Sequence, residues 1–225
     1  MMRIKVDLHV HTTRSKDAVT KLSEALTVAK AIGIDGIALT DHDVPPCLEN
    51  EDLQGLLVIP GMEVRTTEAH ILALGIEESL GKPQKAREAV EAIHGLGGIA
   101  ILAHPYASIL GIRGRRGIKD ACFDAIEVFN SGTPFFRIST FLARRLAKSL
   151  DLPATGGSDS HLPETIGYSY TILECNSPTV SEALKAIKSG RTEAFGRPIT
   201  LSQRFKKLWI TGFHKHRCLP FPSLP

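Results

Sequence analysis

Two histidines separated by one residue stand near the start of the chain, in the stretch VDLHVHTTRSKD at residues 6–17. The stretch begins as an apolar run, and side chains two positions apart in a strand point to the same face. His9 and His11 should therefore project together, with Asp7 on the same side. Imidazoles and a carboxylate on one face suit a metal ion, although an isolated pair of this kind more often belongs to an ordinary hydrogen-bonded core.

More imidazoles and carboxylates lie at or near the ends of the other apolar runs, in the segments LTDHD, GMEV, AHIL, AHP and GSDSH. In folds with parallel strands, the carboxyl ends of the strands form one rim on which sites are assembled from several loops. A mixed set of this size exceeds what one ion requires, so we expect two or three divalent ions. The residues concerned are His9, His11, Asp17, His42, Glu63, His70, His104, Asp159 and His161.

The elements that must position these residues alternate between strand and helix about seven times. Short and nearly continuous apolar runs are typical of parallel strands buried on both faces beneath helices, so an α/β barrel or strongly curved sheet is predicted. A full eight-unit barrel usually needs about 250 residues, which favours a smaller or irregular one. Strands are expected at 3–8, 36–41, 56–64, 69–75, 98–105, 124–130, 152–161 and 169–175, and helices at 22–32, 83–96, 135–150 and 179–189.

Length and composition indicate one globular domain in the cytoplasm. The chain has 225 residues and 43% hydrophobic content, with no run near the roughly 20 apolar residues of a membrane span and no signal-like N-terminal segment. Its four cysteines are widely scattered without a C-x-x-C pair. They are therefore expected to be reduced thiols, not disulfide partners or a zinc ribbon.

Taken in their order, the motifs DLHVHTTRSKD, LTDHD, GMEV, AHIL, AHP and GSDSH resemble those of the polymerase and histidinol phosphatase (PHP) family. IEVFN resembles the strand usual between the last two motifs, and SGRTEAFGRP resembles a common family ending. The resemblance implies a distorted seven-stranded (β/α)7 TIM-like barrel with metal-dependent phosphoesterase activity. A catalytic domain over residues 1–200 would be followed by a basic tail over residues 201–225.

Carried over position by position, the resemblance assigns the nine ligands to three ions, which could be manganese, iron or zinc. Glu63 would bridge two of the ions, and Glu63, Asp159 and His161 would be the catalytic residues. Such ions neutralise a phosphate ester and lower the pKa of a shared water toward about 7, so no serine or cysteine nucleophile is needed. The three groups are His9, His11, Glu63 and Asp159; Glu63, His70 and His104; and Asp17, His42 and His161.

Two neighbouring carboxylates, Asp7 and Asp41, are expected to orient ligand imidazoles. His94 is expected at the surface of its helix. The glycine-rich segment GIRGRRG follows the His104 strand and contains Arg113, Arg115 and Arg116. These guanidinium groups are candidates for binding a second phosphate of the substrate or an adjacent nucleotide linkage, and a solvated basic loop is an equal alternative.

The C-terminal segment is basic, with six Lys and Arg residues and no acidic residue after Glu193. Because Phe205, Trp209 and Phe213 are interleaved with these bases, the segment could contact single-stranded nucleic acid. The favoured alternative is a terminal helix that packs on the barrel, followed by an unstructured end.

The sequence therefore favours hydrolysis of a small phosphorylated metabolite such as histidinol phosphate, a nucleotide or nucleoside bisphosphate, or an oligonucleotide end. Amidohydrolases also place an H-x-H after a first barrel strand, but they use a bridging, usually carboxylated lysine where this chain has Glu63. A non-catalytic metal-binding accessory module is the other alternative, and the full ligand set argues against it.

Overall fold

The computed structural model describes residues 1–48, 51–81, 83–107 and 118–216. Within these residues the chain forms two five-stranded sheets and five helices, besides a short 3-10 turn at Pro163–Thr165. The strands are β1 (Met2–Val10), β2 (Gly36–Leu39), β3 (Leu57–Ile59), β4 (Gly61–Arg65), β5 (His70–Leu74), β6 (Ile99–Ala103), β7 (Ala125–Asn130), β8 (Ala154–Gly157), β9 (Ser169–Cys175) and β10 (Thr192–Gly196). The helices are α1 (Leu22–Ala31), α2 (Ala86–Gly95), α3 (Phe136–Leu150), α4 (Val180–Lys188) and α5 (Leu201–His216).

The first sheet has the strand order β10-β9-β1-β2-β3. Strands β1, β2 and β3 run parallel, with Val6 opposite Gly36 and Gly36 opposite Leu57. Strand β9 is antiparallel to both of its neighbours, β1 and β10. Strand β1 therefore lies at the centre of this sheet and carries His9 toward one end of it.

The second sheet has the order β4-β5-β6-β7-β8. Strand β5 runs antiparallel to β4 and β6, whereas β6, β7 and β8 are parallel. In this register His70 stands opposite Arg65 on one side and Ala103 on the other. The first residue of β5 consequently lies at the same end of the sheet as the last residues of β4 and β6.

The two sheets share an apolar core. Val6 and Leu8 from β1 belong to the same buried cluster as Leu72 from β5 and Ile101 from β6. Isolated bridges also join the sheets, between Val10 and Ser160 and between His42 and Glu63. The pairings confirm an α/β fold, whereas the predicted distorted seven-stranded barrel is not confirmed. Four antiparallel pairs among the described strands differ from the parallel pairing that the apolar runs predict.

The helices cover the sheets with the apolar faces that their sequence periodicity predicts. In α2 the buried residues are Ala86, Ala89, Val90 and Ile93, which recur at helical spacing. In α1 the buried residues Ala25, Leu26 and Ala29 pack with the first sheet. None of the helices in the described ranges combines the length and the apolar character that crossing a membrane requires.

Two local features differ from the sequence predictions. The strand expected at 56–64 is divided into β3 and β4, in different sheets, because Pro60 between them has no N–H to donate to a ladder. Strand β10 lies in the segment that resembles a common family ending, where the apolar pattern predicts no strand. Helix α5 agrees with the favoured prediction of a terminal helix. Of the four cysteines, Cys47, Cys122 and Cys175 are free thiols, as predicted, and Cys218 lies outside the described residues.

Candidate metal centre

All nine predicted ligand residues meet at one end of the two sheets, where the strands terminate. Each has a side-chain nitrogen or oxygen within 3.5 Å of such an atom in another member of the set. His9, His11, Glu63 and His161 are buried, whereas the side chains of Asp17 and His70 remain 36% and 39% exposed. The cluster therefore has a buried floor and an open margin through which a ligand can enter.

Glu63, on β4, lies at the middle of this cluster. Its Oε1 atom is 2.8 Å from both His70 Nδ1 and His104 Nε2, and its Oε2 atom is 2.8 Å from His42 Nδ1. Burial alone would raise the pKa of Glu63, but the surrounding imidazoles hold that pKa well below its usual value. Both oxygens of the buried Glu63 carboxylate thus lie close to imidazole nitrogens.

His9 and His11 converge on the same point. Their Nε2 atoms are 3.1 Å apart, and Asp159 Oδ1 lies 3.7 Å from the first and 3.4 Å from the second. Burial, reinforced by the neighbouring His161, lowers the pKa of His11 well below its ordinary value. A neutral imidazole with its lone pair toward a carboxylate and a second imidazole is suited to bind a cation.

Asp17, His42 and His161 form the third part of the cluster. Asp17 Oδ2 is 3.2 Å from His42 Nε2 and 3.5 Å from His161 Nε2. Burial favours the neutral form of His42, but the carboxylates of Asp17 and Glu63 raise its pKa to about 9. Within the described residues, Asp17 Oδ1 and His42 Nδ1 are buried without a hydrogen bond of good geometry. Buried polar atoms of this kind are what a coordinated ion would satisfy.

The antiparallel course of β5 and two strained residues bring distant ligands to this end of the sheets. His70 begins β5 yet lies beside the end of β6, because the two strands run in opposite directions. His104 and Asp159 have φ angles of 25° and 53°, which non-glycine residues rarely adopt. Strain of this type costs about 1–3 kcal/mol and is concentrated at functional sites.

Close packing on a glycine fixes the position of His9. A Cβ atom at Gly157, the last residue of β8, would lie 2.4 Å from the Cβ of His9 and 2.9 Å from Glu127 Oε1. Only a residue without a side chain permits this approach between β8 and β1.

Glu127 is a site residue that the sequence analysis did not single out. It is buried on β7, and its Oε1 atom accepts a hydrogen bond from His9 Nδ1 at 2.9 Å. Its Oε2 atom accepts from the His104 backbone N–H and from the Asn130 side-chain amide, both at 2.9 Å. The available signal was a single carboxylate within the otherwise apolar strand AIEVFN.

Asp7 and Asp41 support the site differently from the prediction. Asp41 accepts hydrogen bonds from Thr12 and Ser15, and the Ser15 hydroxyl lies 3.2 Å from His11 Nδ1. Asp41 therefore acts on an imidazole through a hydroxyl and not directly.

Asp7 accepts hydrogen bonds from three backbone N–H groups, those of His9, Ser158 and Gly167. Burial raises the pKa of Asp7 to about 6. This carboxylate connects β1 to the loop that follows β8, and so it positions the backbone between His9 and Asp159.

The donor atoms fit divalent metal ions. Among the residues that the structure describes, three groups have ligand atoms that all lie within 4.8 Å of one another. Imidazole nitrogens combined with carboxylate oxygens suit zinc, iron and manganese. The three groups are His11, His42 and His161; His9, Glu63 and His104; and His9, His11 and Asp159. They differ from the predicted sets, because His11 is grouped with His42 and His161 as well as with Asp159.

Other predicted residues lie elsewhere. Arg113, Arg115 and Arg116 fall outside the described residues, so their role in substrate binding stays a prediction. His94 is on α2, where its Nε2 atom is 2.7 Å from Asp124 Oδ2 and its side chain is 34% exposed. This position agrees with the predicted surface role.

Family models match most of the chain. The PHP domain matches residues 7–129, and the PHP-associated domain matches residues 137–192. Seven of the nine predicted ligands, from His9 to His104, lie within the first match.

Two curated proteins are similar in sequence. An uncharacterised protein of Methanocaldococcus jannaschii is 37% identical over 142 residues, which are 57% of this chain and 82% of that protein. The phosphoribosyl 1,2-cyclic phosphate 1,2-diphosphodiesterase of Eggerthella lenta is 37% identical over 82 residues, which are 32% of this chain and 31% of that enzyme.

Solved structures share the fold at lower identity. A two-domain protein of Bacteroides vulgatus with a predicted PHP-like metal-dependent phosphoesterase has a TM-score of 0.69 at 20% identity, over 92% of this chain and 69% of that chain. The lesion-specific endonuclease PfuEndoQ of Pyrococcus furiosus has a TM-score of 0.62 at 17% identity, over 100% of this chain and 73% of that chain.

Proposed function

Because the chain belongs to the PHP domain family, we propose that it is a hydrolase that cleaves a phosphomonoester or a terminal phosphodiester with the help of bound divalent metal ions. The observation that carries this proposal is the environment of Glu63. A single buried carboxylate lies 2.8 Å from nitrogens of His42, His70 and His104. Such a carboxylate is suited to bridge two cations.

We assign the nine clustered residues as ligands of two or three ions, which could be manganese, iron or zinc. When bound, these ions would supply a hydroxide nucleophile at neutral pH and charge stabilisation for the phosphate oxygens. Glu63, Asp159 and His161 are the proposed catalytic residues, since each combines a ligand atom with a place at the centre or open side of the cluster.

The chain itself fixes which imidazole nitrogens are available. Glu127 accepts a hydrogen bond from His9 Nδ1, so Nε2 is the nitrogen that His9 would offer to an ion after it loses its second proton. His161 Nδ1 lies 2.9 Å from the backbone carbonyl oxygen of Asp159 and donates to it, which leaves His161 Nε2 directed toward Asp17. These two contacts would keep the proton on each Nδ1 atom and leave each Nε2 atom for an ion.

The proposed substrates are nucleotides, nucleoside bisphosphates, histidinol phosphate and oligonucleotide ends. The Eggerthella lenta relative acts, by its name, on a cyclic phosphate of a small sugar, and PfuEndoQ is an endonuclease, so both small and polymeric phosphates belong in the test. We propose that Arg113, Arg115 and Arg116 bind a second phosphate group of the substrate. Their replacement by alanine should raise KM more than it lowers kcat.

The test is a screen of phosphorylated compounds with protein that has been stripped of metal and reloaded with manganese, iron(II) or zinc. We expect metal-dependent release of phosphate from at least one class. Glu63→Gln should lower this activity by at least about 100-fold, because it removes the charge that the ions would share. Glu193→Gln, a matched change at an exposed residue of β10, should leave it unchanged. Metal-loaded protein that hydrolyses none of the compounds would favour the accessory module.

A further inference from the structure

The C-terminal helix α5 is attached to loops beside the metal centre. The Arg204 guanidinium donates hydrogen bonds to the backbone carbonyls of Gly132 at 3.0 Å and Thr133 at 3.3 Å. The Gln203 side-chain amide lies 3.0 Å from the Tyr168 hydroxyl. The first two turns of α5 therefore have a defined place on the protein, and one face of the helix is turned toward the site.

Lys207 lies on this inward face, three residues after Arg204. Its Nζ atom is 3.6 Å from Asp159 Oδ2, and its side chain is 24% exposed. The neighbouring Lys206 is directed away, because its ammonium pairs with Glu164 and its side chain is 52% exposed. Two adjacent lysines of one helix thus have different positions relative to the metal centre.

The Asp159 carboxylate separates the imidazole cluster from this basic helix. Its Oδ1 atom faces His9 and His11, at 3.7 and 3.4 Å. Its Oδ2 atom faces Lys207 and Gly132, and a Cβ atom at Gly132 would lie 2.6 Å from it. The Asp159 carboxylate therefore lies between the Lys207 ammonium and the imidazole nitrogens of His9 and His11. The Lys207 charge contributes to a pKa of Asp159 well below its usual value, against the opposing effect of burial.

We propose that the Lys207 ammonium binds an oxygen of the substrate's terminal phosphate, which makes α5 a wall of the active site. This inference rests on the proposed phosphoesterase function. A lysine ammonium is a compact charge with three donors on a flexible stem, so it can move a few ångströms between partners. An Asp159 carboxylate engaged by an ion has less charge left for the ammonium, and a phosphate oxygen then becomes the better partner.

The experiment measures binding of inorganic phosphate to manganese-loaded protein by isothermal titration calorimetry. Lys207→Met should raise Kd by at least about 10-fold, which is the usual effect of losing a hydrogen bond between charged groups. Lys206→Met removes the same charge one residue away and should change Kd by less than about twofold. Lys207→Arg keeps the charge and should retain part of the affinity.

Metal content and thermal unfolding of each variant separate this role from a structural one. We expect Lys207→Met to keep the manganese content and melting temperature of the unmodified protein. An unchanged phosphate Kd, or a loss of manganese that accounts for the weaker binding, would overturn the inference, since Lys207 would then only hold Asp159.

A second measurement on the unmodified protein does not depend on a variant that folds. Phosphate should slow the chemical acetylation of Lys207, followed by mass spectrometry, and should leave Lys206 unaffected. Equal rates with and without phosphate would contradict the proposal. Because binding is measured without turnover, Lys207-dependent phosphate binding by a protein that hydrolyses no ester would refute the proposed function alone.

Pairs of phosphorylated and unphosphorylated ligands show whether the terminal phosphate belongs to a nucleotide or to an oligonucleotide. Adenosine monophosphate and a short 5′-phosphorylated oligonucleotide are each compared with their unphosphorylated forms. Lys207→Met should remove the advantage of the phosphorylated form for the ligand class that the site accepts. Equal losses for phosphorylated and unphosphorylated ligands would argue against a phosphate contact.

Discussion

At the level of single residues, the charge around Glu63 indicates what a bound cation would replace. Without an ion, one buried carboxylate is stabilised by protons carried on the surrounding imidazoles. Burial opposes protonation of His9 and His104, but nearby carboxylates, Glu127 for His9 and Glu63 for His104, raise the pKa of both. Metal binding must therefore displace protons, and affinity should increase with pH.

The stability of the metal-free protein should depend on pH through His42. Its pKa in the folded protein is about 9, above the value of about 6.5 for an unfolded chain. The stability that this pairing contributes is fully present below pH 6.5 and is lost as the pH rises through 9. We expect the melting temperature of chelator-treated protein to fall between pH 6.5 and 9.5, and to fall less in His42→Gln. A curve identical in the variant would contradict this origin.

Glu127→Gln tests the residue that orients His9. The Gln oxygen would remain near the His104 N–H and the Asn130 amide, so the Gln NH₂ group would face His9 Nδ1. The proton would then move to His9 Nε2, where it blocks metal binding. We expect metal affinity about 10- to 100-fold weaker in a competition titration with a chelator. Glu91→Gln, on the exposed face of α2, is the control, and equal affinities in the two variants would reject this role.

At the level of elements, the sequence predicted where most strands and helices lie and the parallel pairs around β2 and β7, but not the antiparallel course of β5 and β9. Apolar runs identify a buried strand, whereas its direction depends on which neighbours it pairs with. His70 was placed in the site because of its motif, and the antiparallel course of β5 is what brings it there. The break at Pro60 was missed because the apolar pattern continues through it.

Two glycine substitutions should have opposite effects on stability, because Gly157 lies in the close contact between β8 and β1 and Gly95 lies in open space. Gly157→Ala would place a methyl group 2.4 Å from the His9 Cβ and should destabilise the protein by about 1–3 kcal/mol. Gly95→Ala, at the end of α2, meets no atom within 4 Å and should stabilise by up to about 1 kcal/mol. Urea denaturation measures both. Equal free energies of unfolding for the two variants would contradict the described packing.

At the level of the whole molecule, the candidate metal centre lies where the two sheets meet. His9 and His11 come from the first sheet and its following loop, whereas Glu63, His70 and His104 come from the second. The bridge between His42 and Glu63 joins the sheets at the same place. Ions held by both sheets should therefore stabilise the complete fold.

Metal removal tests this connection between the sheets. A ligand that binds only the folded state stabilises it by about 2.7 kcal/mol at 100 times its Kd. We expect manganese at saturating concentration to raise the melting temperature of chelator-treated protein in a single cooperative transition. Glu63→Gln should lose most of this shift, whereas Glu193→Gln should keep it. A shift that is the same in both variants would indicate binding elsewhere.

Some site residues could be predicted from the sequence, and others could not, because some belong to local motifs and others depend on tertiary contacts. The nine proposed ligands were identifiable because their residue types and motif order are tied to the strand ends. Glu127 and Lys207 were not, because their roles depend on contacts with His9 and Asp159, which are distant in sequence. Such contacts are set by tertiary packing, and no local pattern specifies them.

The central claim is that the nine clustered side chains bind a group of divalent ions. Its most direct test is anomalous diffraction from crystals of the manganese-saturated protein, with the ion content confirmed by elemental analysis. We predict two or three manganese ions per chain, with Glu63 between two of them. Fewer than two ions per chain, or ions bound away from these residues, would contradict the claim.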